Sequence, residues 1–175
     1  MEHRIKAVLT DIDGVWTDGR IYLNDEGKSF KAFNNLDSVG VSLLRMAEIP
    51  VIIITGEDSE VIRRRAEQLK IKFVFTGARN KLLVAETILN DLDIKLEECA
   101  FIGDDLADLA LLKASGFGAV PSNATEFLKS QVSNVLSRSG GNGAFREFSE
   151  LVLQQCGILD QIQQLFLDKI ASKNY

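Results

Sequence analysis

The 175-residue sequence predicts an α/β fold, namely a three-layer Rossmann-like parallel sheet with helices on both faces. Two observations support this prediction. Short continuous apolar runs, typical of strands buried on both faces, alternate with longer stretches whose apolar residues recur every three or four positions. Such alternation builds parallel sheets through right-handed crossovers, which place helices over the faces of the sheet.

The predicted elements follow one another in a regular order. Apolar runs indicate strands at residues 5–10, 50–55, 72–75 and 99–103, and helical patterns occupy residues 38–48, 59–69 and 81–92. After the first strand, residues 20–34 contain two runs of β-forming residues around an Asn-Asp-Glu-Gly turn, which predicts an inserted short β-hairpin. Residues 140–175 should form a glycine turn and two helices, separated by Gly157 in a left-handed helix cap.

Composition limits the classes of function. With 46% hydrophobic and 26% charged residues the chain is globular, and we expect one domain over residues 1–175. The net charge of −5 argues against a nucleic-acid partner and favours a bound cation. Cys99 and Cys156 are expected to be reduced structural thiols, and His3 and Trp16 to be structural. No segment reaches the roughly 20 apolar residues that span a bilayer, so we expect a cytoplasmic protein with no membrane partner.

Polar residues follow the predicted strands. Asp11 and Asp13 come directly after the first strand, Thr55 ends the second, Asp104 follows the fourth, and Lys81 begins a helix. Ligands of open parallel sheets bind beyond the carboxyl ends of the strands, so we expect these side chains to surround one crevice. Two aspartates one residue apart are weak evidence in themselves, because such pairs also occur in solvated turns and helix caps.

The combination suits a phosphate ester. Asp11 and Asp104 supply hard oxygen ligands of the kind that Mg²⁺ prefers, and the metal allows a dianionic ester to approach a cluster of acids. Asp11 can attack phosphorus and form an aspartyl phosphate. Asp13 can protonate the leaving alkoxide and then accept a proton from the hydrolytic water. Asp105 and Asp108 are interpreted as supporting residues, since acids at a helix start are favourable without any ligand.

Four further residues would hold the phosphoryl group. Thr55 and Lys81 can bind its oxygens as charge shifts in the transition state, and Gly14 and Gly56 permit close approach of the backbone. A lysine in the first turn of a helix opposes the helix dipole at a cost of about 0.3 to 1 kcal/mol, which a neighbouring anion removes. The alternative is a surface lysine that tolerates this cost.

Four segments resemble, in this order, the four motifs of the haloacid dehalogenase superfamily of phosphatases: DIDGV, IITG, NKL and GDDLAD. The resemblance covers nearly the whole chain. TDIDGVWTDG, RRRAEQL, GGNGAFRE and a hairpin in place of a cap domain are similar to the capless branch, which contains 3-deoxy-D-manno-octulosonate 8-phosphate (KDO 8-phosphate) phosphatase.

The resemblance implies a Mg²⁺-dependent phosphatase with Asp11 as nucleophile, Asp13 as acid and base, and Thr55 and Lys81 as phosphate binders. It implies Mg²⁺ ligands at Asp11, at Asp104 and at the backbone carbonyl of Asp13. It also implies hydrolysis of KDO 8-phosphate to KDO and phosphate by a homotetramer in which a neighbouring subunit completes each active site.

Several residues bear on the substrate. Glu57 stands where the octulosonate enzymes commonly have arginine, as in the similar branch that acts on 2-keto-3-deoxy-nononate (KDN) 9-phosphate, which is the alternative substrate. A sugar acid also needs a cation for its carboxylate. Arg64, Arg65 and Arg146 are the candidates, because guanidinium binds carboxylate through two bonds. The alternative for the run of three arginines at 63–65 is a solvated helix face or a row of ion pairs between subunits.

The hairpin and the tail carry predictions about assembly. The hairpin has more apolar side chains than an isolated hairpin should expose, so it packs either on its own domain or against a neighbouring subunit. The glycines at 140–143 and Phe145 are either a turn and core filling, or part of a segment that brings Arg146 to a neighbouring site. A partner subunit over the open crevice would exclude water, which favours this chemistry.

Two other classes of function use similar residues. Signalling receiver domains also have an acidic pair after the first strand, a threonine and a lysine, but the aspartate that accepts phosphate ends a middle strand. Here Thr55 ends that strand and the second acidic cluster follows the lysine, which favours a phosphatase. A noncatalytic phosphate-binding domain would not need both Asp11 and Asp13.

Overall fold

The computed structural model describes residues 5–172, in which eight strands and seven α-helices follow one another. The strands are β1 (Ala7–Thr10), β2 (Tyr22–Leu23), β3 (Ser29–Phe30), β4 (Val51–Ile54), β5 (Phe73–Phe75), β6 (Cys99–Ile102), β7 (Phe117–Val120) and β8 (Asn134–Val135). The helices are α1 (Asn35–Met46), α2 (Glu60–Gln68), α3 (Lys81–Asp91), α4 (Leu109–Ala114), α5 (Glu126–Lys129), α6 (Ala144–Gln155) and α7 (Leu159–Ala171). His3, to which the sequence assigns a structural role, lies outside the described residues.

Six strands form a parallel sheet in the order β5-β4-β1-β6-β7-β8. Counted among themselves, these strands run 3-2-1-4-5-6, which is the Rossmann order and confirms the predicted fold. The order reverses between β1 and β6, whose register places Thr10 beside Ile102. A crevice therefore opens beyond the carboxyl ends of these two strands, where ligands of such sheets bind.

Both faces of the sheet are covered by helices. Along β1, Val8 joins the core formed with α1, α2, α6 and α7, whereas Ala7 and Leu9 join the core formed with α3, α4 and α5. The strands β1, β4 and β6 are buried along their whole length. Burial on both faces explains why these strands are continuous apolar runs rather than alternating ones.

The sequence patterns give no bounds for four short elements, namely β7, β8, α4 and α5, although the acids at 105 and 108 indicated a helix start before α4. The strand β8 has 2 residues, and the helices α4 and α5 have 6 and 4. Elements this short contain too few residues to show a period. The strand β7 is as long as β1, but it contains Gly118 and is therefore not a continuous apolar run. The predicted helix that should start at residue 38 instead starts at Asn35, because the Asn34 side chain caps it by accepting a hydrogen bond from the Leu36 N–H.

The strands β2 and β3 pair antiparallel, which confirms the predicted hairpin. Tyr22 stacks on Phe30, with ring centroids 5.3 Å apart. Ile21, Leu23 and Phe30 are nevertheless 82%, 63% and 57% exposed, and of the hairpin segment's large apolar side chains Phe33 is one that packs against the core. The tip of the hairpin therefore does not bury its apolar side chains against its own domain.

The tail belongs to the core of its own chain. Phe145 and Phe148 of α6 are fully buried, and the ring of Trp16 lies 4.4 Å from that of Phe145. Burying an aromatic side chain of this size stabilises a fold by about 1.5 to 3 kcal/mol. Gly157 has φ of 71°, which confirms the left-handed cap between α6 and α7.

Cys99 and Cys156 are free thiols, as predicted, and Cys99 is buried. Burial raises the pKa of the Cys99 thiol to about 12, so this side chain stays protonated and acts as a small apolar residue. Across residues 5–172, no helix is both long enough and apolar enough to cross a membrane.

Candidate active site

The carboxyl ends of the central strands surround a pocket of about 470 Å³. Ten residues that the sequence singles out line it together: Asp11, Asp13, Gly14, Thr55, Gly56, Glu57, Lys81, Asp104, Asp105 and Asp108. Asp11 directly follows β1, Thr55 follows β4, and Asp104 follows β6. The strand order thus gathers residues that are far apart in sequence, because the three strands are neighbours in the sheet.

Asp11 is held in place by its backbone and by one of its two carboxylate oxygens. Its N–H donates to the carbonyl of Ile102 at 3.0 Å, so the β1–β6 ladder continues to this residue. Its Oδ2 lies 2.6 Å from the ammonium of Lys81. Its Oδ1 is buried and has no hydrogen-bond partner among the described residues. A buried carboxylate oxygen without a partner is costly, which indicates that it serves a ligand.

Lys81 is the first residue of α3 and its ammonium is almost completely buried. It lies 2.6 Å from Asp11 Oδ2 and 2.6 Å from Asp108 Oδ1. Burial lowers the pKa of Lys81, but the charges of the two carboxylates and their hydrogen bonds raise it further, so its net pKa lies above the ordinary value. The lysine is therefore a fixed positive charge at the base of the pocket, and the surface-lysine alternative is wrong.

Asp108 has a larger part in this site than its position at a helix start suggested. It is fully buried, and its Oδ1 accepts a hydrogen bond from Lys81. Its Oδ2 accepts from the backbone N–H groups of Asp104 and Asp105 at 3.0 and 3.1 Å. An added Cβ at Gly103 would lie 2.4 Å from the Asp108 carboxyl carbon, so only glycine fits there. The signal in the sequence was the acidic residue four positions after Asp104.

Asp11, Asp104 and Asp108 each place a carboxylate oxygen within 4.8 Å of the others. Burial, followed by the charge of Asp108, raises the pKa of Asp11 to about 6, although Lys81 opposes the shift. Burial, followed by the charges of Asp11 and Asp108, raises the pKa of Asp104 to about 7. A cation would relieve the mutual repulsion of these acids, so the donor set fits a divalent metal.

The division of partners indicates which acids could hold a metal. Both oxygens of Asp108 already accept hydrogen bonds from Lys81 and from backbone amides. Asp11 retains one oxygen without a partner in residues 5–172, and the Asp104 carboxylate lies against Gly14 at the wall of the pocket. Asp11 and Asp104 therefore have carboxylate oxygens available to a ligand, either a metal or a phosphoryl group, whereas Asp108 does not.

Asp13 contacts a residue that the sequence did not single out. This residue is Lys31, which directly follows β3. The Oδ1 of Asp13 lies 2.5 Å from the Lys31 ammonium and accepts a hydrogen bond from Thr17 Oγ1 at 3.2 Å. Lys31 also lies 2.8 Å from Glu57 Oε2. Partial burial lowers the pKa of Lys31, but hydrogen bonds and charges from Asp13 and Glu57 raise it to a net value above the ordinary one. No local pattern marks this lysine among the other hairpin charges.

The glycines of the site differ in what they allow. Gly14 has φ of 78°, and an added Cβ would lie 1.8 Å from Asp104 Oδ2, so this position needs glycine on both counts. At Gly56, an added Cβ would lie 4.0 Å from the Ala78 carbonyl oxygen, which is an ordinary contact. Gly56 therefore leaves open space in the pocket, whereas Gly14 makes room for Asp104.

The glycine-rich tail segment packs on the same loop from outside. An added Cβ at Gly140 would lie 1.9 Å from the Gly14 carbonyl oxygen and 2.6 Å from that of Thr17. The Asn123 side chain donates to the Gly14 carbonyl at 3.0 Å and accepts from the Gly140 N–H at 2.6 Å. These glycines are therefore a close-packed turn that supports the loop carrying Asp13.

Arg64 and Arg65 do not line the acidic pocket but line a separate one of about 340 Å³, together with Lys31. Arg65 donates to Ser38 Oγ at 2.7 Å, and its guanidinium lies 5.5 Å from the centre of the Phe33 ring. Lys31 connects the two pockets, because its partners Asp13 and Glu57 line the acidic one.

Arg146 lies on α6, and neither pocket lining includes it. Its guanidinium lies 2.7 Å from Glu150, and its backbone N–H donates to Asp37 at 2.9 Å. Within one chain, Arg146 therefore joins α1 to α6 rather than reaching the acidic pocket.

Comparison with known proteins agrees with this geometry. The haloacid dehalogenase-like hydrolase family matches residues 55–147, which is more than half of the chain. The chain belongs to this family. It is 39% identical over 153 residues to the 3-deoxy-D-manno-octulosonate 8-phosphate phosphatase of Haemophilus influenzae, covering 87% of this chain and 85% of the relative.

Solved structures of this family are similar along nearly the whole chain. The 3-deoxy-D-manno-octulosonate 8-phosphate phosphatase from Moraxella catarrhalis, in complex with magnesium, phosphate and KDO, is 37% identical with a TM-score of 0.89 and 94% of each chain covered. The cobalt-bound enzyme from Haemophilus influenzae is 38% identical with a TM-score of 0.85, covering 90% of this chain and 92% of that one.

The chain is therefore a haloacid dehalogenase-like phosphatase similar to the KDO 8-phosphate phosphatases, as the motifs predicted. The receiver-domain alternative is wrong, because the sheet has the order 3-2-1-4-5-6 instead of the receiver order 2-1-3-4-5. The alternative of a noncatalytic phosphate-binding domain is also wrong, because the relatives are enzymes.

Proposed function

We propose that this phosphatase hydrolyses KDO 8-phosphate to KDO and phosphate, with Mg²⁺ as cofactor and an aspartyl phosphate as intermediate. The observation that carries the proposal is the carboxylate of Asp11. One of its oxygens is neutralised by Lys81, and the other is buried without a hydrogen-bond partner in the described chain, at the wall of a pocket beyond the strand ends. A nucleophile for phosphorus needs such a free, fixed oxygen.

The proposed reaction has two steps. In the first, an oxygen of Asp11 attacks phosphorus, the bond between phosphorus and the sugar oxygen breaks, and Asp13 gives its proton to that oxygen. The products are the free sugar acid and the aspartyl phosphate. In the second, ionised Asp13 takes a proton from water as the water oxygen attacks phosphorus, which releases phosphate and restores the Asp11 carboxylate.

Four other residues support these steps. Lys81 supplies a fixed positive charge for the phosphoryl oxygens, and Asp108 forms a second salt bridge to its ammonium beside that of Asp11. Thr55 is buried at the end of β4 and lines the same pocket, where it can bind a phosphoryl oxygen. Gly56 leaves room for the phosphoryl group beside it.

Mg²⁺ would be held by the carboxylates of Asp11 and Asp104 and by the backbone carbonyl of Asp13. The bound ion supplies charge neutralisation for the phosphate dianion among these acids. The raised pKa values of Asp11 and Asp104 support this assignment, since both arise partly from neighbouring negative charge. The magnesium and cobalt bound by the similar enzymes support it as well.

The substrate proposal depends on the relatives and on the second pocket. KDO is bound in the similar Moraxella catarrhalis enzyme. Arg64 and Arg65 line a pocket that Lys31 joins to the acidic one, which supports them as candidates for binding the substrate carboxylate. Glu57 lines the acidic pocket and keeps KDN 9-phosphate as the second candidate. Arg146 would take part only at the site of a neighbouring subunit.

We further propose that the chain forms a homotetramer through its hairpin. The exposed side chains of Ile21, Leu23 and Phe30 form an apolar surface of the kind that subunit contacts cover. The acidic pocket is also open, and a neighbouring subunit would exclude water from it. Sedimentation of the wild type and of a Leu23→Asp variant tests this; a tetramer in both would exclude the hairpin as the contact.

The deciding experiment compares kcat/KM for KDO 8-phosphate and KDN 9-phosphate under identical conditions with Mg²⁺, and again with EDTA. We expect a preference for KDO 8-phosphate and loss of turnover with EDTA. A preference for KDN 9-phosphate would correct the substrate, and turnover unaffected by EDTA would exclude the metal. No turnover on a broad panel of phosphate esters would overturn the proposal.

A further inference from the structure

We propose that Lys31 is a positioning residue that holds one oxygen of Asp13, so that the other oxygen is presented to the oxygen leaving phosphorus. This inference rests on the proposed role of Asp13 as general acid. It adds to the reaction a residue that lies at the end of the hairpin rather than on the strands of the sheet.

Only one of the two carboxylate oxygens of Asp13 accepts hydrogen bonds from the residues that the structure describes. In the part of the chain that the structure describes, its carboxylate is reached only at Oδ1, by the ammonium of Lys31 at 2.5 Å and by Thr17 Oγ1 at 3.2 Å. Two donors on one oxygen fix the rotation of the carboxylate and leave Oδ2 for the proton that is exchanged with the substrate. A general acid needs such alignment, because proton transfer requires hydrogen-bond reach to the leaving oxygen.

Lys31 is held firmly enough for this task. Its side chain is 12% exposed, whereas that of Lys28, on the same hairpin, is 77% exposed. Glu57 contacts its ammonium at 2.8 Å from the end of β4, so the lysine is fixed from two sides.

A structural role for Lys31 and a positioning role predict different kinetics. A general acid matters when the leaving oxygen is strongly basic, as the alkoxide of a sugar phosphate is, and matters little for the weakly basic nitrophenolate. If Lys31 aligns Asp13, its loss slows the sugar ester far more than the aryl ester. If Lys31 only stabilises the hairpin, both esters are slowed equally.

The test uses the full-length protein with Mg²⁺ and two esters, p-nitrophenyl phosphate and whichever of KDO 8-phosphate and KDN 9-phosphate the wild type turns over faster. We expect Lys31→Met to lower kcat for the sugar ester about 10- to 100-fold and kcat for the aryl ester less than about threefold. Asp13→Asn should show the same selective loss of activity. Lys31→Arg should restore most of the sugar-ester rate, because guanidinium also donates to a carboxylate.

Lys28→Met is the matched control, since it removes the same charge from an exposed hairpin position and should leave both rates unchanged. If Lys31→Met does not fold, Lys31→Gln with wild-type circular dichroism takes its place. Equal loss on both esters, or no loss on either, would overturn the role of Lys31 while the phosphatase proposal stands. A wild type that turns over neither ester would overturn the proposed function itself.

Discussion

Gly14→Ala should separate metal binding from folding, because one added methyl group displaces one proposed metal ligand. The new Cβ would lie 1.8 Å from Asp104 Oδ2, whereas ordinary contacts begin at 3.4 Å. The Asp104 oxygen must therefore move by the difference, about 1.6 Å, or the loop must shift. The left-handed backbone, with φ of 78°, adds a cost of about 1 to 2 kcal/mol for a non-glycine residue.

The assay is the Mg²⁺ dependence of turnover, together with the rise in melting temperature that Mg²⁺ produces. Since a misplacement of about 1 Å can reduce a rate 100-fold, we expect kcat/KM to fall at least about 100-fold and the stabilisation by Mg²⁺ to disappear. Gly27→Ala is the control, because Gly27 has φ of 75° and its Cβ would meet nothing within 4 Å. Gly27→Ala should lose only the stability that a non-glycine residue costs in the left-handed backbone conformation, and its Mg²⁺ dependence should match the wild type.

Retention of the wild-type Mg²⁺ requirement and rate by Gly14→Ala would refute the reasoning. It would mean that Asp104 can move by this distance without effect, and hence that it is not a metal ligand. A loss of stability in Gly14→Ala no larger than in Gly27→Ala, combined with lost activity, would place the whole effect in the site.

Three further predictions concern single carboxylates. Asp11→Asn should keep the fold and lose turnover, since the amide has the same shape without the nucleophilic charge; near-normal rates in a phosphate-release assay would exclude Asp11 as nucleophile. Asp108→Asn should lower kcat more than about tenfold while circular dichroism is unchanged, because Lys81 loses a charged partner at 2.6 Å; an unchanged kcat would exclude this role. For Asp37, burial raises the pKa from 3.8 to about 6. The folded state then binds more protons than the unfolded state between about pH 4 and 6, so this group lowers the free energy of unfolding as pH rises through that window, by about 3 kcal/mol at most. Urea unfolding should show Asp37→Asn gaining stability over the wild type from pH 4 to pH 7, and a constant difference would contradict the shift.

Phe145 and Phe148 are fully buried, so deleting the tail would disturb the fold as well as any contact with a neighbouring site. Removing residues 140–175 would take both rings out of the core, at about 3 to 5 kcal/mol for each, so the shortened chain should not fold. Deletion therefore cannot test a role of the tail at a neighbouring site. The substitution Arg146→Ala leaves both rings in place and does test it.

The sequence predicted the buried strands and the long helices, because their patterns of apolar residues lie within one continuous segment. The buried strands show as apolar runs and the long helices by their period, since each pattern reflects burial on two faces or one. The bounds of β8, α4 and α5 were not predicted because these elements are too short to show a period, and β7 was missed because Gly118 interrupts its apolar run. Lys31 was missed for a related reason, because its partners Asp13 and Glu57 are distant in sequence.

By itself the sequence determined the fold class, the family, the acids at the strand ends and the lysine at the start of a helix. These features depend on motifs and periodicity, which can be read from the order of residues alone. Only the tertiary structure decided how these groups share their partners: that Asp108 holds Lys81, that one oxygen of Asp11 has no partner among the residues described, and that Lys31 reaches Asp13. The physical reason is that the strength of a hydrogen bond or a charge pair depends on distances of a few ångströms. Those distances are set by the packing of the sheet and hairpin, which no local pattern in the sequence records.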